Sequence, residues 1–332
     1  MAHLPSFTLL LTALPLISAR VATCASGSDW VECDAGTDAA ALGLLQMDSL
    51  KRAKAAYQDA DLAGDLVLQH IPFNFGHTIE KVAGFGSGLI SMGKYMTVKM
   101  NIDGEPSTDA RWQLVNANKQ QNAILWGHSN PDLFVTSKHT GCPLYYTPGK
   151  YWPADMAESY FGNKTIFGML RDPYERLVAM FRGGSYPGFT ETCDVNGAVR
   201  KMLKDYIAGD AFANECSLLP QAEYFDAPFG VALPVDNRIF PDSMNEVFAD
   251  HGYPIHIAGN DVIHVSGCPD VWAGDLDCET KALVKQVYAR DFVLLCKHFG
   301  HCDQSENSCI QTVPGMCPSN MAAKRETATH CA

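Results

Sequence analysis

Residues 165–183, TIFGMLRDPYERLVAMFRG, change period once, where a strand hands over to a helix. TIFGML is a short apolar run with a β-branched start, the pattern of a strand buried on both faces. After Arg171, Asp172 stands where a helix N-cap belongs, Pro173 at the first helical position and Glu175 at the third. Tyr174, Leu177, Val178 and Phe181 then recur at i, i+3, i+4 and i+7, making one apolar face, and Gly183 sits where the helix should stop. Such a unit brings backbone N–H groups and the positive end of a helix dipole to one point, which suits phosphate or sulfate. Arg171 lies at the C-terminal end of the strand, where open α/β sheets bind ligands, and a guanidinium can fork two hydrogen bonds to a phosphate. The bland reading is a well-capped helix after a core strand, and it accounts for every residue except Arg171.

A second unit, LVLQHIPFNFGHTIEKVA (66–83), has the same strand–turn–helix layout, but Phe73 and Phe75 occupy a turn where an anion loop normally has glycine and lysine. Further strands are expected at DLVLQHI (65–71), AILWGH (123–128) and NRIF (237–240). Further helices are expected at 196–208, 242–251 and 279–298, the last with a stripe of Leu283, Val287, Tyr288, Phe292 and Leu295. Strands alternating with helices predict an α/β fold with a mainly parallel central sheet flanked by helices, over 62–300. Residues 20–61 read as a flexible leader with one helical stretch, LLQMDSLKRAKAAYQDA (44–60). Residues 301–332 read as a Cys-rich tail pinned by disulfides.

The formal net charge of −12 argues against nonspecific binding to nucleic acid or an anionic membrane. The apolar run from Leu4 to Ile17 has the length of a signal-peptide core and is short for a bilayer span, so residues 1–19 read as a signal peptide. A short signal anchor is the alternative, and only that would hold the chain on a membrane. Both readings place it in the secretory pathway. Twelve cysteines, all beyond Ala19, fit up to six disulfides in that compartment. No metal is expected, because no tight Cys-x-x-Cys or His-x-x-x-His pair is present; CKHFGHC (296–302) is the nearest approach. NKT at Asn163 is a glycosylation sequon.

Four segments together resemble the secretory-pathway, Golgi-type carbohydrate sulfotransferases. HIPFNFGHTIE (70–80) is similar to their first signature and FGMLRDPYERLVAMF (167–181) to their second. LLPQAEYF (218–225) resembles their Pro-Gln-x-x-Tyr segment, and VYARDFVLLCKHFG (287–300) the Tyr-x-x-Asp-Phe of their terminal helix. The resemblance covers about 62–300 and implies a P-loop-like sulfotransferase fold. It implies transfer of a sulfuryl group from 3′-phosphoadenosine 5′-phosphosulfate to a hydroxyl, on a carbohydrate acceptor, in the Golgi lumen or after secretion. It makes Asn74, Phe75, Gly76, His77, Thr78 and Arg171 the donor-binding residues. His128, in the Gly-His pair of WGHSNPDLF (126–134), becomes the general base; a structural histidine at a strand end is the competing reading.

Phe73 stands at the family's lysine, His77 at a threonine and Ala179 at a serine. Removing one charge-stabilising group from such a site costs about 10²–10³ in rate. His77, Lys81, Lys138 and Lys150 are the candidates to replace the charge. Two readings follow: an active transferase, or a sulfotransferase-fold protein that binds a nucleotide, glycan or protein partner without transfer.

Overall fold

The computed structural model describes residues 65–86, 123–183, 188–262, 267–329 and 331. The signal segment, the leader with its helical stretch, and Cys24 and Cys33 lie outside these residues. Three strands, β1 (Leu66–Leu68), β2 (Thr165–Leu170) and β3 (Leu233–Asp236), form a parallel sheet in that order. Leu66 pairs with Thr165 and Phe167 with Leu233, so β2 is central and takes hydrogen bonds on both sides. Its run from Ile166 to Leu170 is buried throughout, as a strand covered on both faces must be.

Helices follow the strands: α1 (Gly76–Phe85), α2 (Ala154–Tyr160), α3 (Pro173–Arg182), α4 (Val195–Ile207), α5 (Asp242–Asp250), α6 (Cys278–Val287), α7 (Ala289–Phe299) and α8 (Met321–Glu326). In α3, Asp172 accepts from the Tyr174 and Glu175 backbone N–H groups, Pro173 opens the helix and Gly183 closes it. Its expected face is buried against α4, α6 and α7. Each of those side chains contributes roughly 1.5–3 kcal/mol by burial. A second cluster surrounds the sheet and includes Phe167, Trp126, Phe240 and Phe248.

Three expectations are corrected. Residues 123–128 form no strand: Gly127 has φ +49°, and Gly127–Ser129 make a 3-10 turn. The strand expected at 237–240 lies at Leu233–Asp236, and Asn237–Ile239 turn after Asp236 accepts from the Arg238 backbone N–H. Pro234 disguises this strand in the sequence. It is tolerated because β3 pairs only with β2 among the described residues. The single helix expected at 279–298 breaks at Tyr288, which is drawn inward so that its hydroxyl donates to the Leu218 carbonyl at 2.9 Å.

Among the described residues five disulfides join Cys142–Cys216, Cys193–Cys268, Cys278–Cys331, Cys296–Cys302 and Cys309–Cys317. They fit an oxidising secretory environment. The four cysteines of residues 301–332 are all bonded. Ile310 and Val313 enter the core, and the Arg182 guanidinium donates to the carbonyls of Gly315 and Met316. No helix of the described residues is long and apolar enough to cross a membrane. Asn163 is exposed on the turn before β2.

Candidate functional site

Because β1 and β2 are parallel neighbours, their C-terminal ends emerge side by side, and the loops leading to α1 and α3 meet there. The side chain of Gln221, fully buried, ties these loops together. Its Oε1 accepts from Asn74 Nδ2 at 2.6 Å and from the Arg171 backbone N–H at 2.9 Å. Its Nε2 donates to the Arg171 carbonyl at 2.7 Å and to Asp291 at 3.2 Å. Asp291, at the start of α7, also accepts from the Gln221 and Ala222 backbone N–H groups. The four segments singled out by resemblance therefore join in one hydrogen-bond network.

Two arginines hold the first loop from beneath. Arg171 Nη1 donates to the Phe73 carbonyl at 2.8 Å, and Arg176 donates to the carbonyls of Pro72, Ser217 and Leu219. Asn74 completes the tie by donating to the Met169 carbonyl at 2.7 Å. Phe73 and Phe75 have φ of 65° and 61°, left-handed values that bulky residues rarely adopt. Strain of this kind costs on the order of 1 kcal/mol or more per residue. The surroundings hold it in place: Phe75 stacks on Phe240 at 4.4 Å, with the Arg171 guanidinium 5.3 Å from the Phe75 ring centroid. Phe75 is the N-cap of α1 and offers no side-chain bond to the first-turn N–H groups.

On the other side of the loop the first turn of α1 meets a histidine–glutamate centre. His70 Nδ1 contacts Glu80 Oε1, and His128 Nδ1 lies 3.9 Å from Glu80 Oε2. The His77 ring stacks on His128 at 4.2 Å, and its Nε2 is 3.0 Å from the Tyr146 hydroxyl. His70, Glu80 and His128 are 2%, 0% and 3% exposed, whereas His77 is half-buried, so the centre is reached past His77. Burial, with Glu80 and Glu215 adding to it, pushes the phenols of Tyr145 and Tyr146 far above their ordinary range and keeps them neutral.

Of the expected site residues, Asn74 and Arg171 are brought together and serve the loop's own structure. Gly76 packs on the His70 ring, and Thr78 is fully buried. His77 and His128 lie ring to ring. Among the lysines proposed to replace the missing charge, Lys81 is buried and bonds to Asp261, Lys150 pairs with Glu223 and Asp226, and Lys138 is exposed. His70 and Glu80, the first and last residues of HIPFNFGHTIE, are functional candidates that nothing in the residue pattern singles out; only the fold brings them into contact.

Behind α3's first turn, burial raises Asp172 to about 6 and Glu175 to about 7, the latter against the opposing charge of Arg171 at 3.9 Å. No protein-family model, curated protein or solved structure matches this chain.

Proposed function

We propose that this protein is a secretory-pathway sulfotransferase that moves a sulfuryl group from 3′-phosphoadenosine 5′-phosphosulfate to a carbohydrate hydroxyl. The observation that carries the reading is the Gln221 network. It joins Asn74 of the first loop, Arg171 of the second and Asp291 of the terminal helix. A P-loop-like arrangement needs these segments to converge, although they are far apart in sequence. In this reading the phosphosulfate lies at the N-terminus of α1, where the dipole and first-turn N–H groups favour an anion. The acceptor hydroxyl oxygen bonds to sulfur as the bond from sulfur to the phosphate oxygen breaks. The hydroxyl proton passes to His128, and 3′-phosphoadenosine 5′-phosphate leaves.

Calorimetry with 3′-phosphoadenosine 5′-phosphate tests donor binding, and one-to-one binding is expected. Heat-silent titration at millimolar ligand would end the transferase reading. Radiolabelled transfer to a panel of glycans then tests the reaction, and His128→Ala should abolish transfer while leaving nucleotide binding intact. Transfer that survives His128→Ala would remove His128 from the mechanism.

A second reading, a sulfotransferase-fold protein that binds without transfer, is favoured by the placement of Lys81 and Lys150. Both are engaged away from the loop, and Phe73 fills the lysine position. Nucleotide binding with no transfer to any glycan would select it.

A further inference from the structure

We propose that His70, His77 and Glu80 form a binding site for a divalent transition metal, with zinc the best match. The proposal stands on the geometry of these three side chains and holds whether or not a nucleotide binds.

One ligating atom of each residue lies within 4.8 Å of those of the other two. Zinc holds imidazole nitrogen and carboxylate oxygen at about 2.0–2.2 Å, which places tetrahedral ligand atoms roughly 3.4 Å apart. His70 and Glu80 already touch, so a metal would displace the proton they share, and rotation of the His77 imidazole would bring in the third ligand. Two nitrogens and one carboxylate oxygen suit zinc or cobalt, and they suit calcium and magnesium poorly, since both prefer oxygen.

The backbone is arranged to let these groups converge. A Cβ on Gly127 would fall 1.7 Å from Glu80 Oε1 and 3.2 Å from His70 Nδ1. A Cβ on Gly76 would fall 2.6 Å from the His70 ring. Side chains at either position would push the centre apart. Tyr146 is placed to orient His77 through its ring nitrogen, as outer-shell partners of ligating histidines do. The half-buried His77 provides the way in. The residues fall at i, i+7 and i+10. The turn between His70 and α1 folds the first back over the helix, and Glu80 follows His77 by i+3 on one helical face.

The test uses the full chain, stripped with a chelator and titrated with Zn²⁺ by calorimetry and with Co²⁺ by visible absorption. The expected result is one metal per chain, with the intense d–d bands of four- or five-coordinate cobalt. His77→Ala and Glu80→Gln should each weaken Zn²⁺ binding about 100-fold or more, and Tyr146→Phe by about 10-fold. Glu80→Gln is close in size and can still bond to His70, so it reports on the ligand even if His77→Ala folds poorly. A His251→Ala/His301→Ala double variant, removing histidines remote from the centre, should bind as the parent does. No one-to-one binding at submillimolar Zn²⁺ would overturn the site. Affinity unchanged in both His77→Ala and Glu80→Gln would overturn it equally, by placing the metal elsewhere.

Discussion

Gly127 shows how closely the site is fitted at the level of single residues. Its φ of +49° is one that residues with a Cβ rarely adopt, and the space beside it is filled by Glu80. Gly127→Ala should therefore lose about 2–4 kcal/mol of stability in urea denaturation, combining backbone strain with displacement of a buried carboxylate. A variant as stable as the parent would show that Glu80 moves aside freely. The sequence offered this glycine only as half of a Gly-His pair, and nothing local reveals that Glu80, 47 positions earlier, lies against it. His70 and Glu80 were equally visible as letters. Their meeting depends on a turn built from two left-handed phenylalanines, a geometry the residue types argue against.

Among the elements, β2 and α3 were the most legible because every signal in them agrees: apolar run, N-cap, proline at the first position, apolar stripe and closing glycine. Legibility failed where a distant contact outweighs local preference. Tyr288 breaks a continuous helical pattern to reach Leu218, and β3 keeps Pro234 because, among the described residues, it pairs along one edge only. The start of α3 also carries a pH dependence. Burial raises Glu175 from 4.5 to about 7 and Asp172 from 3.8 to about 6, so the fold favours their neutral forms. The stabilisation is complete below the unfolded values, near pH 4, and is lost as pH rises towards 7. For Glu175 this is on the order of 3 kcal/mol. Stability followed by denaturation from pH 4.5 to 7.5 should fall over this window, and Glu175→Gln should flatten much of the slope. An unchanged slope would place the proton elsewhere.

At the scale of the whole molecule, disulfides do much of the joining. Cys142–Cys216 spans 74 residues and ties the segment after His128 to the one that leads into Gln221. Chain-entropy arguments give about 4 kcal/mol for closing a loop of this length. A Cys142→Ser/Cys216→Ser double variant should lose a comparable amount in chemical denaturation, and a loss below about 1 kcal/mol would show that packing alone fixes the two segments. The cysteine count and the apolar N-terminal run pointed to a disulfide-bonded, secretory chain. The pairing could not be read, because it depends on the same long-range folding that assembles the loops. Gln221 has a further consequence for the order of events during synthesis. Its amide joins Asn74, 147 residues upstream, to Asp291, 70 residues downstream. On the ribosome, β1 and its loop emerge early and must wait for nearly the whole domain before their anchor is complete. The nascent protein is therefore without a finished first loop for most of its translation, and any ligand of that loop can favour only the completed chain.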